Sequence, residues 1–181
     1  MKEIWEIAFK MKALKIIGIS LAATIVALLG IGVVVPSYEY QSSIQVNASP
    51  EKCWKVFHNT KLMSQWMDGF ESLKLKSGDS LTLGSQYEIV VHGHDKRMTM
   101  SEKIIEVNAP TKVSYELKND VLKSEFTFSF EGSSSTTITS HYKISGNNVL
   151  WKSILFLSKS YMTKASQDQL SLLKKVIEEQ K

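Results

Sequence analysis

The sequence predicts an α+β domain, an antiparallel meander covered by a C-terminal helix, carried behind one transmembrane helix. Three observations predict it. Residues 16–35 contain no charge, residues 87–144 hold successive sets of apolar residues at period two, and from Asn148 the period changes to that of a helix. The 181 residues suffice for one ordinary domain and an appendage, and leave no room for two full domains.

The apolar stretch reads IIGISLAATIVALLGIGVVV, with only Ser20 and Thr24 polar besides its glycines. At ~1.5 Å per residue it reaches ~30 Å, the hydrocarbon thickness of a bilayer, and a helix satisfies its own backbone there. A core helix apolar on all sides does not fit inside so small a domain. The competing reading is a cleaved secretion signal. Its apolar region is usually shorter and ends in a small-x-small site, whereas this run ends Val33-Val34-Val35-Pro36 without one. A retained anchor is therefore expected. Lys2, Lys10, Lys12 and Lys15 precede it, and the first basic residue after it is Lys52. The positive-inside rule then assigns residues 1–15 to the cytoplasm and residues 16–35 to a single pass of the cell membrane. Residues 36–181 follow as an extracytoplasmic domain, periplasmic in a bacterium.

Within that domain, Tyr38 to Asn47 alternates as a first strand, with Tyr40, Ser42, Ile44 and Val46 on one face. Ser49 can cap a helix that has Pro50 in its first position and Trp54, Val56 and Phe57 on its apolar side. A second short helix is expected over Leu62 to Met67. Five strand sets follow: Tyr87, Ile89, Val91; Met98, Met100; Val113, Tyr115, Leu117; Phe126, Phe128, Phe130; and Ile138, Tyr142, Ile144. Turn signals separate them, among them Gly93, Asn108-Ala109-Pro110 and Asn119-Asp120. After Gly146-Asn147-Asn148 one long helix is expected to about Glu179. Its apolar side takes in Leu150, Ile154, Leu157, Tyr161, Ala165, Leu172, Val176 and Ile177, and Lys159, Lys164, Lys174 and Lys175 form its wet face.

Charge and cysteine content narrow the function classes. Of the net charge of +4, half lies in the first fifteen residues. The field left on the domain is too weak for a nucleic-acid footprint, so no nucleic-acid partner is expected. Cys53 is the single cysteine, which excludes an intrachain disulfide and any paired-cysteine metal or redox motif. No cofactor is called for, and no feature specifies an oligomeric state. A sheet with one apolar face must be covered, and the final helix is the only late element available. A curved sheet gripping a helix leaves a space, and the inward sets are rich in Phe, Tyr and Met. The same residues could equally fill a solid core.

The run Ser42-Ser43-Ile44-Gln45-Val46-Asn47-Ala48-Ser49-Pro50-Glu51-Lys52-Cys53-Trp54-Lys55-Val56-Phe57 resembles the opening of the START-like, or SRPBCC, superfamily. Trp66-Met67-Asp68-Gly69-Phe70, the Gly78 turn, Gly84-Ser85, Asn108-Ala109-Pro110 and the long final helix are similar to its polyketide cyclase/dehydrase branch. The resemblance spans about residues 38–180. It implies a helix-grip fold: a curved seven-stranded antiparallel sheet around the C-terminal helix, two small helices at one end, and a cavity that in relatives holds lipids, sterols or polyketide-like molecules. The added anchor departs from a family whose members are mostly soluble. Cys53 stands where the family usually has a small aliphatic residue, and reads as a core side chain.

Few residues suggest chemistry. His92 and His94 share a strand face, but lack a firm third ligand, and with Gly93 and Asp95 they read better as a solvated hairpin tip. Glu102 continues the Met98, Met100 series into the pocket, where its pKa would rise; one strand shift or bulge would turn it to solvent instead. His141 should face water. Tyr115, Tyr142 and Tyr161 can offer hydroxyls inside, and Trp66 and Phe70 flank the Gly69 turn, which the resemblance puts close to the cavity rim, as a gate, a membrane-touching edge or hinge packing. The expected lining is Trp66, Tyr87, Met98, Met100, Glu102, Tyr115, Phe126, Phe128, Tyr142, Leu157 and Tyr161, with no catalytic set and no metal site. The expected function is membrane-anchored binding of a small hydrophobic, lipid-like ligand. The alternatives are a cyclase/aromatase-type enzyme and a co-chaperone-like interaction module with a filled core.

Overall fold

The computed structural model describes residues 2–93 and 96–180. Helix α1 (Lys2–Val34) leads into strand β1 (Tyr38–Val46), followed by short helices α2 (Pro50–Phe57) and α3 (Thr60–Trp66). Strands β2 (Phe70–Ser77), β3 (Gln86–His92), β4 (Arg97–Asn108), β5 (Lys112–Lys118), β6 (Leu122–Gly132) and β7 (Thr136–Gly146) come next. Two helices end the chain, α4 (Val149–Leu157) and α5 (Lys159–Glu179). The strands form one antiparallel seven-stranded sheet in the order β1-β7-β6-β5-β4-β3-β2. This is the helix-grip fold.

Local chemistry explains the element ends. Ser49 accepts the Lys52 amide and Pro50 opens α2, as the sequence indicated. Asn59 caps α3 and Asn148 caps α4 through their side-chain oxygens. Gly69 turns the chain from α3 into β2 at φ +68°, where a Cβ would overlap the His92 carbonyl oxygen. Strand β2 has no clean alternation, its outer half being exposed and its pairing with β3 twice shifted, so period two alone did not mark it.

The C-terminal half of α5 grips one end of the sheet. Leu170, Leu173, Val176 and Ile177 are buried with Val46, Ile104, Val113, Phe130 and Ile138, leaving that end solid. Glu178 accepts the Asn47 amide at 2.9 Å, and Lys52 donates to the Gln180 carbonyl at 2.7 Å, which fasten the helix end to the β1–α2 connection. Cys53 is fully buried in this core, as expected, and burial raises its thiol pKa.

The expected single C-terminal helix is two helices. Ser158 ends α4 and begins α5 without any glycine or proline, at φ −82°, ψ −1°. The packing side is also the opposite of the expected one: Leu155, Met162, Ser166, Leu170, Leu173 and Ile177 face inward at helical spacing through the junction, while Leu150, Ile154, Leu157, Tyr161, Ala165 and Leu172 are exposed, and only Val176 and Ile177 of the expected set are buried.

Helix α1 is longer than the apolar run, and its Phe9–Val34 stretch has the length and composition of a membrane span or a signal sequence. It packs on α4: the Ser153 hydroxyl donates to the Leu28 carbonyl, and Gly32 lies against the Val149 carbonyl.

Candidate functional site

Towards the other end of the sheet α5 no longer fills the concave face, and a cavity of about 390 Å³ opens beneath it. The same strands supply solid core and cavity wall in succession. On β4, Ile104 belongs to the core and Glu102 and Met100 to the cavity; on β5, Val113 is followed by Tyr115 and Leu117. On β6, Phe130 is core while Phe128, Phe126 and Ser124 line the space, and β7 adds Tyr142 and Ile144. Tyr87, Ile89 and Val91 complete the floor from β3. Phe57, His58, Met63, Trp66 and Met67 close it from α2, α3 and the turn after them, and Met162 and Gln169 from α5.

Of the expected lining, Trp66, Tyr87, Met100, Glu102, Tyr115, Phe126, Phe128 and Tyr142 border this cavity. Three residues do not. Met98 lies on the same strand face, but beyond the cavity's end, where it is exposed. Leu157 and Tyr161 stand on the outer face of the helices, in line with Leu150 and Ile154 and opposite Leu155 and Leu170, and Tyr161 lines an outer opening instead. That opening shares Tyr40, Trp66, Met67, Tyr142, Met162 and Gln169 with the cavity, which makes it the mouth, between α3 and the first turns of α5. Sequence periodicity missed His58, Met63 and Leu81, which stand on a helix end, a short helix and a loop; a buried aromatic helix face at Trp54–Phe57 was the available signal for His58.

Aromatic rings build the wall. Phe57 stacks on Trp66 at 5.2 Å between centroids and meets Phe128 at 4.6 Å, and Tyr40 stacks on Tyr142 at 4.8 Å. Such pairs add about 0.5–1.5 kcal/mol each beyond their burial, so the wall is firm although the space is not filled.

The polar groups inside are few. Glu102 is 7% exposed and faces Tyr87 across the β3–β4 pair, with no hydrogen-bond or ion-pair partner among the described residues. Desolvation pushes its carboxyl up to about 7. The β4–β5 bulge falls after it, between Ile104 and Glu106, and so leaves Glu102 inward. The Tyr87 hydroxyl accepts the Leu81 amide at 2.8 Å, which pins the loop over the cavity. Burial, and then the neighbouring Glu102, raise the Tyr115 pKa. Trp66 Nε1 is buried without a hydrogen-bond partner among the described residues.

The remaining polar candidates lie elsewhere. His92 ends β3 and pairs with Glu71 at 2.8 Å on the surface, while His94 and Asp95 fall outside the described residues. Among the described residues no group of three His, Cys, Asp or Glu is placed to hold a metal ion. His141 lies on the outer face beside Glu39 at 3.3 Å.

The model of the family described as "Polyketide cyclase / dehydrase and lipid transport" matches residues 38–178. The chain belongs to that family. No curated protein sequence matches the chain. Among solved structures, this polyketide cyclase/dehydrase and lipid transport domain is similar to the di-domain ARO/CYC protein BexL from the BE-7585A biosynthetic pathway. The two share 10% identity at a TM-score of 0.65, over 81% of this chain and 52% of BexL, so the chain spans about half of that protein. It is similar to TTHA0849 from Thermus thermophilus, with 14% identity and a TM-score of 0.62, over 77% and 97% of the two chains. Truncated norcoclaurine synthase from Thalictrum flavum gives 15% identity and a TM-score of 0.59, over 80% and 96%. At these identities the likeness is one of fold.

Proposed function

We propose that the domain binds a small hydrophobic, lipid-like molecule in its internal cavity, held by α1 at the extracytoplasmic face of the cell membrane. The observation that carries this is the cavity itself, about 390 Å³ of mostly apolar wall continuous with a mouth. Small-molecule sites commonly measure ~300–1,000 Å³. Each ligand methylene removed from water contributes about 0.8 kcal/mol, so an acyl or isoprenoid body needs no charged anchor for affinity. The lysine-rich start of α1 and the absence of any Lys or Arg between its apolar run and Lys52 support the anchor and its orientation.

Glu102 and Trp66 refine the ligand. A buried group left unpaired costs about 1–3 kcal/mol, and a polar ligand group within reach would recover part of that. The fitting ligand is a hydrophobe with a hydroxyl or similar neutral polar group, not a fully saturated hydrocarbon.

The test is photo-cross-linking of the full chain in its own membrane with a diazirine-bearing fatty acid, followed by peptide mapping. Cross-links in β6 and β7 that Ser124→Trp abolishes are the expected result, because Ser124 lines the cavity and an indole there would occupy it. Cross-links confined to α1 in both chains would contradict it.

A cyclase/aromatase-type enzyme is the second reading, and it has a specific observation in its favour: Glu102, Tyr87 and Tyr115 line one cavity. A protonated carboxyl near neutrality can act as general acid. Under the carrier reading neither wild type nor Glu102→Gln converts a polyketide-like substrate. Conversion of a polyketide-like substrate that Glu102→Gln abolishes would establish the enzyme.

A further inference from the structure

Leu150, Ile154, Leu157 and Tyr161 recur at helical spacing across the α4–α5 junction, and they are between 38% and 76% exposed. The opposite side of α4 is occupied: Leu155 packs with Tyr38 and Ile144, and Ser153 meets the Leu28 carbonyl of α1. A stripe of this kind on the water-facing side of a small domain is costly, since each such side chain buried contributes roughly 1.5–3 kcal/mol.

We propose that this stripe inserts into the leaflet at the C-terminal end of α1, so that α4 is an interfacial helix lying beside the span. The proposal rests on α1 crossing the bilayer. Its depth follows from the α1–α4 contact: Leu28 precedes the end of α1 at Val34 by six residues, about 9 Å along the axis. Interfacial helices sink ~5–10 Å into the headgroup and acyl boundary, the same level. Charge agrees with depth. From Gly132 to Gln167 the chain has no Asp or Glu, and Lys152, Lys159 and Lys164 accompany the stripe, as suits an anionic lipid surface. Trp151 of α4 is the amphipathic residue such an interface favours. Because Tyr161 also lines the mouth, the cavity would then open onto lipid and not onto water.

The experiment uses the full chain in vesicles of phosphatidylcholine and phosphatidylglycerol, 3:1, doped with lipids bearing a nitroxide high on the acyl chain. An environment-sensitive fluorophore is attached at Ile154→Cys, or at Leu157→Cys should the first fail to fold. Val26→Cys and Ser133→Cys give references in the apolar helix and on the β6–β7 hairpin. The buried Cys53 should remain unlabelled, which wild type checks. The expected result is quenching at 154 or 157 at least half as strong as at 26, and none at 133. Quenching at 26 but not at 154 or 157 would overturn the docking of α4 and leave the anchor intact. A blue-shifted but unquenched label at 154 would give the stripe to a second copy of the chain, also overturning the proposal. Absence of quenching at 26 would remove the anchor and the proposal together.

Discussion

The Tyr115 hydroxyl donates to His58 Nε2 across 3.0 Å, and the direction of that bond is fixed by His58's other nitrogen. Nδ1 lies 2.9 Å from the Trp54 carbonyl, which can only accept, so the proton is on Nδ1 and Nε2 is the acceptor. The pair joins the end of α2 to the middle of β5 at the cavity wall. Burial depresses the His58 pKa from 6.5 to about 4, so the ring is neutral at physiological pH.

Tyr115→Phe therefore strands a buried imidazole nitrogen while hardly changing shape. We expect a loss of about 1–3 kcal/mol, read from chemical denaturation of the full chain in detergent. A loss below the error of that measurement would mean that the bond is dispensable.

Glu102 and His58 give the stability profile opposing slopes. Unfolded His58 binds its proton near pH 6.5 and folded His58 only near 4, so this residue's contribution is present above 6.5 and falls with pH below it. Folded Glu102 holds its proton to about 7 and unfolded Glu102 to about 4.5, so its contribution is present below 4.5 and is lost as pH rises through 7. Between pH 4.5 and 6.5 the two nearly cancel. Glu102→Gln should expose the histidine slope in that window, and at pH 8 exceed wild type by on the order of 3 kcal/mol. Denaturation midpoints across pH 4–8 for both chains check this; parallel curves would contradict it.

Gly32 is where α1 can touch α4, because a side chain there would meet the Val149 backbone and Ser153. Gly32→Val should raise hydrogen exchange in Val149–Leu157 and leave β6 and β7 at wild-type protection. Equal exchange in α4 of both chains would show that the contact does not hold α4.

The meander was legible because its inward residues recur at period two, Tyr87, Ile89 and Val91 on β3 and Phe126, Phe128 and Phe130 on β6, although β3 also buries Val90 on its other face. Glu102 was legible for the same reason, its phase being set by Met100. The α4–α5 break was not, because Leu155-Phe156-Leu157-Ser158 contains no helix breaker. Leu157 and Tyr161 were misplaced for another reason: both sides of α4 carry apolar residues, and the sequence does not say whether Leu150, Ile154 and Leu157 or Leu155 meets the sheet. Met98 shows a different limit, since periodicity gives the face of a strand but not where along it a cavity ends. His58 was legible only in part: the aromatic face at Trp54–Phe57 pointed to that helix end, but the bond to Tyr115, fifty-seven residues away, leaves no local pattern.

A cavity-filling change should stabilise the empty domain and abolish binding together. Ser124→Leu adds apolar bulk beside Phe126 and Tyr142 without a charge, and should hold or raise the denaturation midpoint while cutting hydrophobe cross-linking at least tenfold. Unchanged cross-linking would place the ligand elsewhere.

The most direct test of the central claim is native mass spectrometry of the full chain released from detergent, wild type beside Ser124→Trp. The account predicts one hydrophobic molecule retained per wild-type chain and none in the variant, since lipid merely adhering to α1 would persist in both. An identical mass shift in the two chains, or none in either after incubation with a lipid extract, would contradict it.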